Sequence, residues 1–351
     1  MAASFLFLPA LPTFAQVPAQ QQKPVDSDPV PSPDDAAHPT SGAPTTAPAL
    51  PDFVVTNDNG KYKLVTNTFE VRLNASVIDG SGRTVDSLPQ SAFTVFEDNV
   101  PQAIVAFKHE DLPISLGLLI DSSGSMYDKR AAVDASSLDL VKLSNPKDEE
   151  FLVDFSSEAY IDQDFTSDIA KLQQGLSYIK SSGGTALYDA VIASADYLAK
   201  NGKQAKQVIL IITDGDDNAS SASLEQAIRR VQDLDGPAIY CIGLLFGEDV
   251  SRNEARHSRE VLTELAEQTG GMAYFPKSLR EVDGIAQQVA QDIRTQYTLE
   301  YRSTNPPTNG GYRKIRVEAK EKGFHNLQVR TRSGYFPHVP GAPDTTQPES
   351  K

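Results

Sequence analysis

The chain has 351 residues, enough for roughly two domains of about 100–200 residues each, so a substantial core can form without disulfide staples. With 47 Asp and Glu against 32 Lys and Arg, the net charge of −15 argues against a broad electrostatic grip on nucleic acid or an anionic membrane surface. The single cysteine, Cys241, excludes an intramolecular disulfide and any multi-cysteine zinc or iron–sulfur centre.

Residues 1–15 open the chain with an apolar run, Ala3 to Ala15, of signal-peptide length and too short to span a bilayer. No Lys or Arg precedes it, the first basic residue being Lys23, which departs from the usual positive start. The run predicts export to a periplasmic or extracellular location. Of the 23 prolines, 11 lie in the first 51 residues. Residues 16–51, rich in Pro, Ala, Gln, Asp and Ser and without an apolar period, therefore read as a disordered spacer.

From residue 52 to about 111 the text changes to short β-type segments: Tyr62–Thr66, Phe69–Ile78, Ala92–Phe96 and Ala103–Phe107. Between them stand the turn sequences Asn57-Asp-Asn-Gly60, Asp79-Gly-Ser-Gly82 and Asp98-Asn-Val-Pro101. Residues 112–294 alternate strands with helices. The strand candidates Ile114–Ile120, Phe151–Phe155, Val208–Thr213, Ala238–Leu245 and Ala273–Phe275 are near-continuous apolar runs, as a parallel sheet covered on both faces requires. Apolar steps of three and four mark helices at Ile169, Leu172, Leu176, Ile179, at Leu187, Val191, Ala195, Leu198, and at Leu279, Val282, Ile285, Val289, Ile293. Residues 295–336 return to β pattern in Gln296–Tyr301, Arg313–Ala319 and Leu327–Thr331. The predicted fold class is α/β, a doubly wound, mainly parallel, Rossmann-like sheet with a flanking all-β sandwich-like domain. Residues 52–111 and 295–336 together make about 100 residues, the size of one sandwich, into which the α/β part would be inserted. Two separate β units are the alternative. Residues 337–351 read as a polar, disordered tail.

Strand Ile114–Ile120 runs into Asp121-Ser-Ser-Gly-Ser-Met126, and strand Val208–Thr213 into Asp214-Gly-Asp-Asp-Asn218. Between them lies Ser181-Ser-Gly-Gly-Thr-Ala186. Loops leaving the carboxyl ends of strands line the crevice of a doubly wound sheet, and alternate oxygen side chains suit a hard divalent cation. If the two strands are neighbours, both clusters reach one point. Asp-x-Ser-x-Ser, Gly-Gly-Thr and Thr-Asp-Gly in these contexts resemble the metal-ion-dependent adhesion site of von Willebrand factor type A domains. The resemblance covers about 112–294. The flanks Ala92-Phe-Thr-Val-Phe-Glu-Asp98 and Tyr312-Arg-Lys-Ile-Arg-Val317 resemble segments framing that domain in a bacterial exported "VWFA-related" family.

The resemblance implies a Mg²⁺, or Mn²⁺, held by the hydroxyls of Ser123, Ser125 and Thr185, with Asp121 and Asp214 acting mostly through water. An open position would take an Asp or Glu of a protein partner, giving a non-enzymatic adhesion module of the bacterial envelope. A structural scaffold of an envelope complex is the alternative from another class. A metal-assisted hydrolase using Ser123 needs a base, and none of the five histidines stands in a motif near the cluster. Asp216 and Asp217 are either further acids supporting the cation or a solvated loop. Asp128, Lys129 and Arg130 read as a charged first helical turn, with a role at the rim left open. Cys241 in its apolar strand reads as an inert core thiol, Asn74-Ala-Ser76 as a chance glycosylation triplet, and the absence of Gly-x-x-x-x-Gly-Lys-[Ser/Thr] leaves nucleotide binding unsupported. Neither the partner nor the oligomeric state is named by the sequence.

Overall fold

A computed structural model describes residues 53–58, 61–66, 69–143, 145–215, 217–246 and 251–337. The expected signal segment, the spacer, Asp216 and the tail from 338 lie outside the described residues. Strands β1 (Phe53–Asp58) and β2 (Lys61–Thr66) pair as an antiparallel hairpin. They are followed by β3 (Glu70–Ile78), β4 (Phe93–Glu97), β5 (Val100–Gln102) and β6 (Ile104–Lys108). Next come β7 (Ile114–Asp121), α1 (Arg130–Lys142), β8 (Glu149–Phe155), β9 (Ala159–Thr166), α2 (Ile169–Tyr178) and α3 (Leu187–Asn201). The α/β part continues with β10 (Lys206–Thr213), α4 (Leu224–Asp233), β11 (Ala238–Gly243), α5 (Arg252–Thr269), β12 (Ala273–Tyr274) and α6 (Val282–Arg294). The chain closes with β13 (Tyr297–Arg302), β14 (Arg313–Ala319), β15 (Gln328–Arg330) and β16 (Gly334–Tyr335).

Six strands form one sheet in the order β12-β11-β10-β7-β8-β9, parallel except for the antiparallel edge strand β9. All eight residues of β7 and all six of β11 are buried, because helices cover both faces. Alternate residues of β10 divide between them. Val208, Leu210 and Ile212 pack with α1, α2 and α6, through Val133, Leu176 and Val289. Ile209 and Ile211 pack with α3, α4 and α5, through Val191, Ile228 and Leu262. This is the doubly wound, mainly parallel α/β sheet expected from the apolar runs. Cys241 sits in the second cluster, fully buried, and burial pushes its thiol pKa far up. Helix α6 starts at Val282; Leu279–Glu281 is a 3-10 turn ahead of it.

β9 and the helices α4 and α5 are not picked out by apolar spacing. β9 is half-buried or exposed at every position, because only one strand flanks it at the edge of the sheet. The two helices carry a different signal, a capping box: Ser223 with Gln226, and Ser251 with Glu254, satisfy the first backbone N–H groups reciprocally. The sequence Asp98-Asn-Val-Pro101 holds more than a turn. Asp98 and Asn99 take left-handed backbone at φ 48° and 65°, and Val100 already begins β5 at a sheet edge, where Pro101 needs no ladder donor.

Two further four-stranded antiparallel sheets, β15-β3-β13-β6 and β16-β14-β4-β5, share one core of Val71, Leu73, Val95, Leu299, Val317 and their neighbours. Each sheet combines strands from before and after the α/β part: β13 lies between β3 and β6, and β14 pairs with β4. Residues 51–351 form one compact unit. Asn74, of the glycosylation triplet, lies within β3, where its side chain accepts from Thr298 Oγ1 while Ser76 is buried. Among the described residues no helix is long and apolar enough to cross a membrane.

Candidate functional site

The winding of the sheet reverses between β7 and β10. From β7 the chain moves outward to β8 and β9, then returns to the other side of β7 for β10, β11 and β12. Loops diverge at such a switch point and leave a crevice at the carboxyl ends of the two strands. β7 and β10 are parallel neighbours, with Ile120 beside Ile212. Asp121 and Asp214 therefore end adjacent strands. Their loops meet there with the loop that precedes α3.

Hydrogen bonds fix this meeting. Asp121 is fully buried; its Oδ1 accepts from the Ser123 backbone N–H at 2.8 Å and its Oδ2 from Thr213 Oγ1 at 2.5 Å. Burial first of all, opposed by those hydrogen bonds and joined by the nearby Asp214 charge, pushes the Asp121 pKa up to about 6. Ser125, exposed at the rim, donates to Asp214 Oδ1 at 2.8 Å, and its oxygen stands 3.1 Å from Ser123 Oγ. Asp214 Oδ2 accepts from Lys129 Nζ at 2.6 Å. That carboxylate is 1% exposed and the lysine side chain 14%. Thr185 is buried, and its hydroxyl makes no hydrogen bond to another described residue.

The Thr185 loop is held by backbone contacts that only glycine permits. Gly183 has φ +81° and a Cβ there would stand 2.8 Å from Ser157 Oγ; a Cβ on Gly184 would stand 2.6 Å from Asn218 Oδ1. Asn218 Oδ1 accepts from the Thr185 N–H at 2.9 Å, and the Asn218 N–H returns a bond to the Thr185 carbonyl at 3.0 Å. Ser182 N–H donates to the Ser122 carbonyl at 2.7 Å, joining this loop to the one after β7.

Asp217 faces the other way. It accepts from the Tyr188 N–H at the start of α3 and from the N–H and hydroxyl of Ser220, which brace the loop against the helix. Lys129 and Asn218 are site residues that motif spacing does not single out, and Thr213, though part of the Thr-Asp-Gly motif, is given no role there. Lys129 had one legible signal, a basic residue at the amino end of a helix.

The donor set of two carboxylates and three hydroxyls is all hard oxygen, which fits Mg²⁺ or Mn²⁺ and does not suit a soft metal. Among the described residues no group of three or more His, Cys, Asp or Glu is assembled, so carboxylates alone would not hold a cation here. No histidine hydrogen-bonds to any of the five residues among those described.

Sheet order and loop cluster together define a doubly wound α/β domain with its crevice at the topological switch point. Residues 116–216, within the α/β part and spanning β7 to the loop after β10, match the family model of the von Willebrand factor type A domain. No curated protein matches the chain in sequence. Among solved structures it is similar to a von Willebrand factor type A protein from Catenulispora acidiphila: 13% identity, 70% of this chain, 72% of that one, TM-score 0.44. It is similar also to the conserved hypothetical protein BatB from Bacteroides thetaiotaomicron, with 18% identity, 51% of this chain, 98% of that one and TM-score 0.41. The vWF domain of the type V pili tip protein Mfa5 from Porphyromonas gingivalis is similar at 14% identity, over 52% of this chain and 97% of that one, with TM-score 0.41.

Proposed function

We propose that this is an exported, non-enzymatic protein-binding module in which Asp121, Ser123, Ser125, Thr185 and Asp214 hold a Mg²⁺ or Mn²⁺ ion. A bound divalent cation supplies a positive, oxygen-seeking position to which an Asp or Glu of a protein partner can bind. The observation that supports this reading is the hydrogen-bonded cluster of Asp121, Ser123, Ser125 and Asp214 at the β7–β10 switch point, with the Thr185 loop joined to it by the bond from Ser182 N–H to the Ser122 carbonyl. Each residue has a separable task. Asp121 is oriented by Ser123 N–H and Thr213; Asp214 is oriented by Ser125; Thr185 offers a hydroxyl that no other described group uses. Neutral hydroxyls leave a cation's charge largely uncompensated, which favours capture of an outside carboxylate.

The sandwich lies at the other end of the sheet. Arg72 and Asn74 of β3 line a cavity of about 310 Å³ with Ala205, Gln207 and Ala238, at the amino ends of β10 and β11. Among the described residues, this contact of β3 is thus with the end of the sheet opposite to the carboxyl-end loops. One observation favours the scaffold reading: the bonds from Thr213, Ser125 and Lys129 tie the loops directly to one another.

Calorimetric titration of the full chain with Mg²⁺ and Mn²⁺ tests the proposal, paired with metal-dependent capture of partners from envelope extract. Saturable binding by the native chain, lost in Asp121→Ala and Asp214→Ala together with capture, is the expected result. Capture that continues in EDTA and in Asp214→Ala, with thermal stability falling sharply on chelation, would establish the scaffold instead.

A further inference from the structure

Lys129 stands where a helix does not want it. It is the N-cap residue of α1, with no side-chain capping bond, and the first turn of α1 holds no acidic residue to offset it. A cation at this end opposes the helix dipole. Its position is accounted for by the loop opposite: Nζ reaches Asp214 Oδ2 at 2.6 Å and lies 5.9 Å from the ring centre of Phe246, in the segment after β11. One ammonium therefore ties together the loops that follow β7, β10 and β11.

Both oxygens of Asp214 are engaged, Oδ1 by Ser125 and Oδ2 by Lys129. With 1% of its side chain exposed, Asp214 has no water shell to spare, and the lysine neutralises a charge that would otherwise be buried alone. A divalent ion and an ammonium on one buried carboxylate repel each other strongly, because the low local dielectric screens them poorly. Resting on the metal-site reading above, we propose that Lys129 is a built-in cation that competes for Asp214, so that a divalent ion binds only by displacing it. Lys129 then sets the metal concentration at which the site loads. It also keeps the loops ordered before loading.

Two measurements on the full chain test this. In the first, Mn²⁺ and Mg²⁺ affinities are compared for the native chain, Lys129→Met, Lys129→Gln and Lys129→Arg. The neutral variants are expected to bind on the order of tenfold more tightly than the native chain, and Lys129→Arg to stay close to it. In EDTA, Lys129→Met and Lys129→Gln should melt below the native chain, with saturating Mg²⁺ closing the gap. The second uses the native chain alone, so it stands even if a variant fails to fold. Amine acylation read by mass spectrometry should find Lys129 protected in EDTA and reactive when metal is saturating. Equal or weaker metal affinity in folded neutral variants, or unchanged acylation on loading, overturns the displacement while leaving the metal site standing. Absence of metal binding by the native chain and by every variant, at millimolar metal, overturns the site reading and the displacement with it.

Discussion

At the residue scale, the orientation of Asp121 depends on Thr213, the first residue of the Thr-Asp-Gly motif, which the resemblance does not place among the metal ligands. Thr213 is the last residue of β10, and its hydroxyl donates to Asp121 Oδ2 across the β7–β10 boundary. A hydrogen bond to a carboxylate that is fully buried cannot be replaced by water. Thr213→Val keeps the shape, removes the donor and is expected to cost about 1–3 kcal/mol, measured by urea denaturation in EDTA. Metal affinity should fall in the same variant. The pattern Asp-x-Ser-x-Ser was legible because its residues are close in sequence. The Thr213, Asn218 and Lys129 contacts were not, since each spans a separation of 33 to 92 residues.

At the scale of elements, β9 is the edge where charge and burial conflict. Asp162 on β9 lies beside Asp154 on β8, with Ser122 donating to Asp154 Oδ2 at 2.7 Å. Burial first, and the Asp154 carboxylate second, push the Asp162 pKa up to about 7. The sign follows from linkage. Between the ordinary carboxylate range near 4 and about 7 the folded chain holds a proton that the unfolded chain has lost, so this group's contribution to stability declines as pH rises through that window. Above about 7 the folded acid is ionised beside a like charge. Asp162→Asn should flatten the decline and raise the melting temperature at pH 7.5, as measured by thermal denaturation from pH 4 to 8. An unaltered pH profile would place the source of any decline elsewhere. β9 escaped the sequence reading for the same reason that it tolerates Asp162: one side of an edge strand faces solvent, so its apolar signal is diluted.

At the scale of the whole molecule, the two β segments close over the α/β insertion, and buried polar contacts fix the closure. In the sandwich core Glu97 and Arg313 are both 1% exposed, 3.3 Å apart. Glu97 also accepts from Tyr301 at 2.6 Å, Tyr335 at 2.9 Å and Ser303 at 2.6 Å. Arg313 donates to the carbonyls of Asn305 and Pro306. The four partners of Glu97 all come from the part after the insertion, so this network can form only once the chain has returned from it. Glu97→Ala leaves a buried cation and two tyrosine hydroxyls without their acceptor and is expected to cost about 3–5 kcal/mol by urea denaturation. A loss under about 1 kcal/mol would mean that water replaces the carboxylate. Between sandwich and α/β part, Ser76 of β3 and Tyr240 of β11 both donate to Asp292 of α6, at 3.1 and 2.7 Å, and Arg332 pairs with Asp235. Nearby Lys206 caps the Ile293 carbonyl, its pKa lowered to about 8 chiefly by burial.

The sequence by itself determined the element types, because apolar period is a local property: continuous runs for β7, β8, β10 and β11, alternation for β3, three-and-four steps for α2, α3 and α6. It also determined the five candidate ligands, since each stands at the end of a strand or the start of a helix, where a doubly wound sheet exposes its loops. Tertiary structure alone decided that β7 and β10 are neighbours, that β13 inserts between β3 and β6, and that Lys129 turns inward to Asp214. These depend on pairing order and on burial shared by distant segments. A charge read in isolation belongs to solvent; only the fold shows that acids such as Asp214 and Glu97 are buried against cations of the same chain, Lys129 and Arg313.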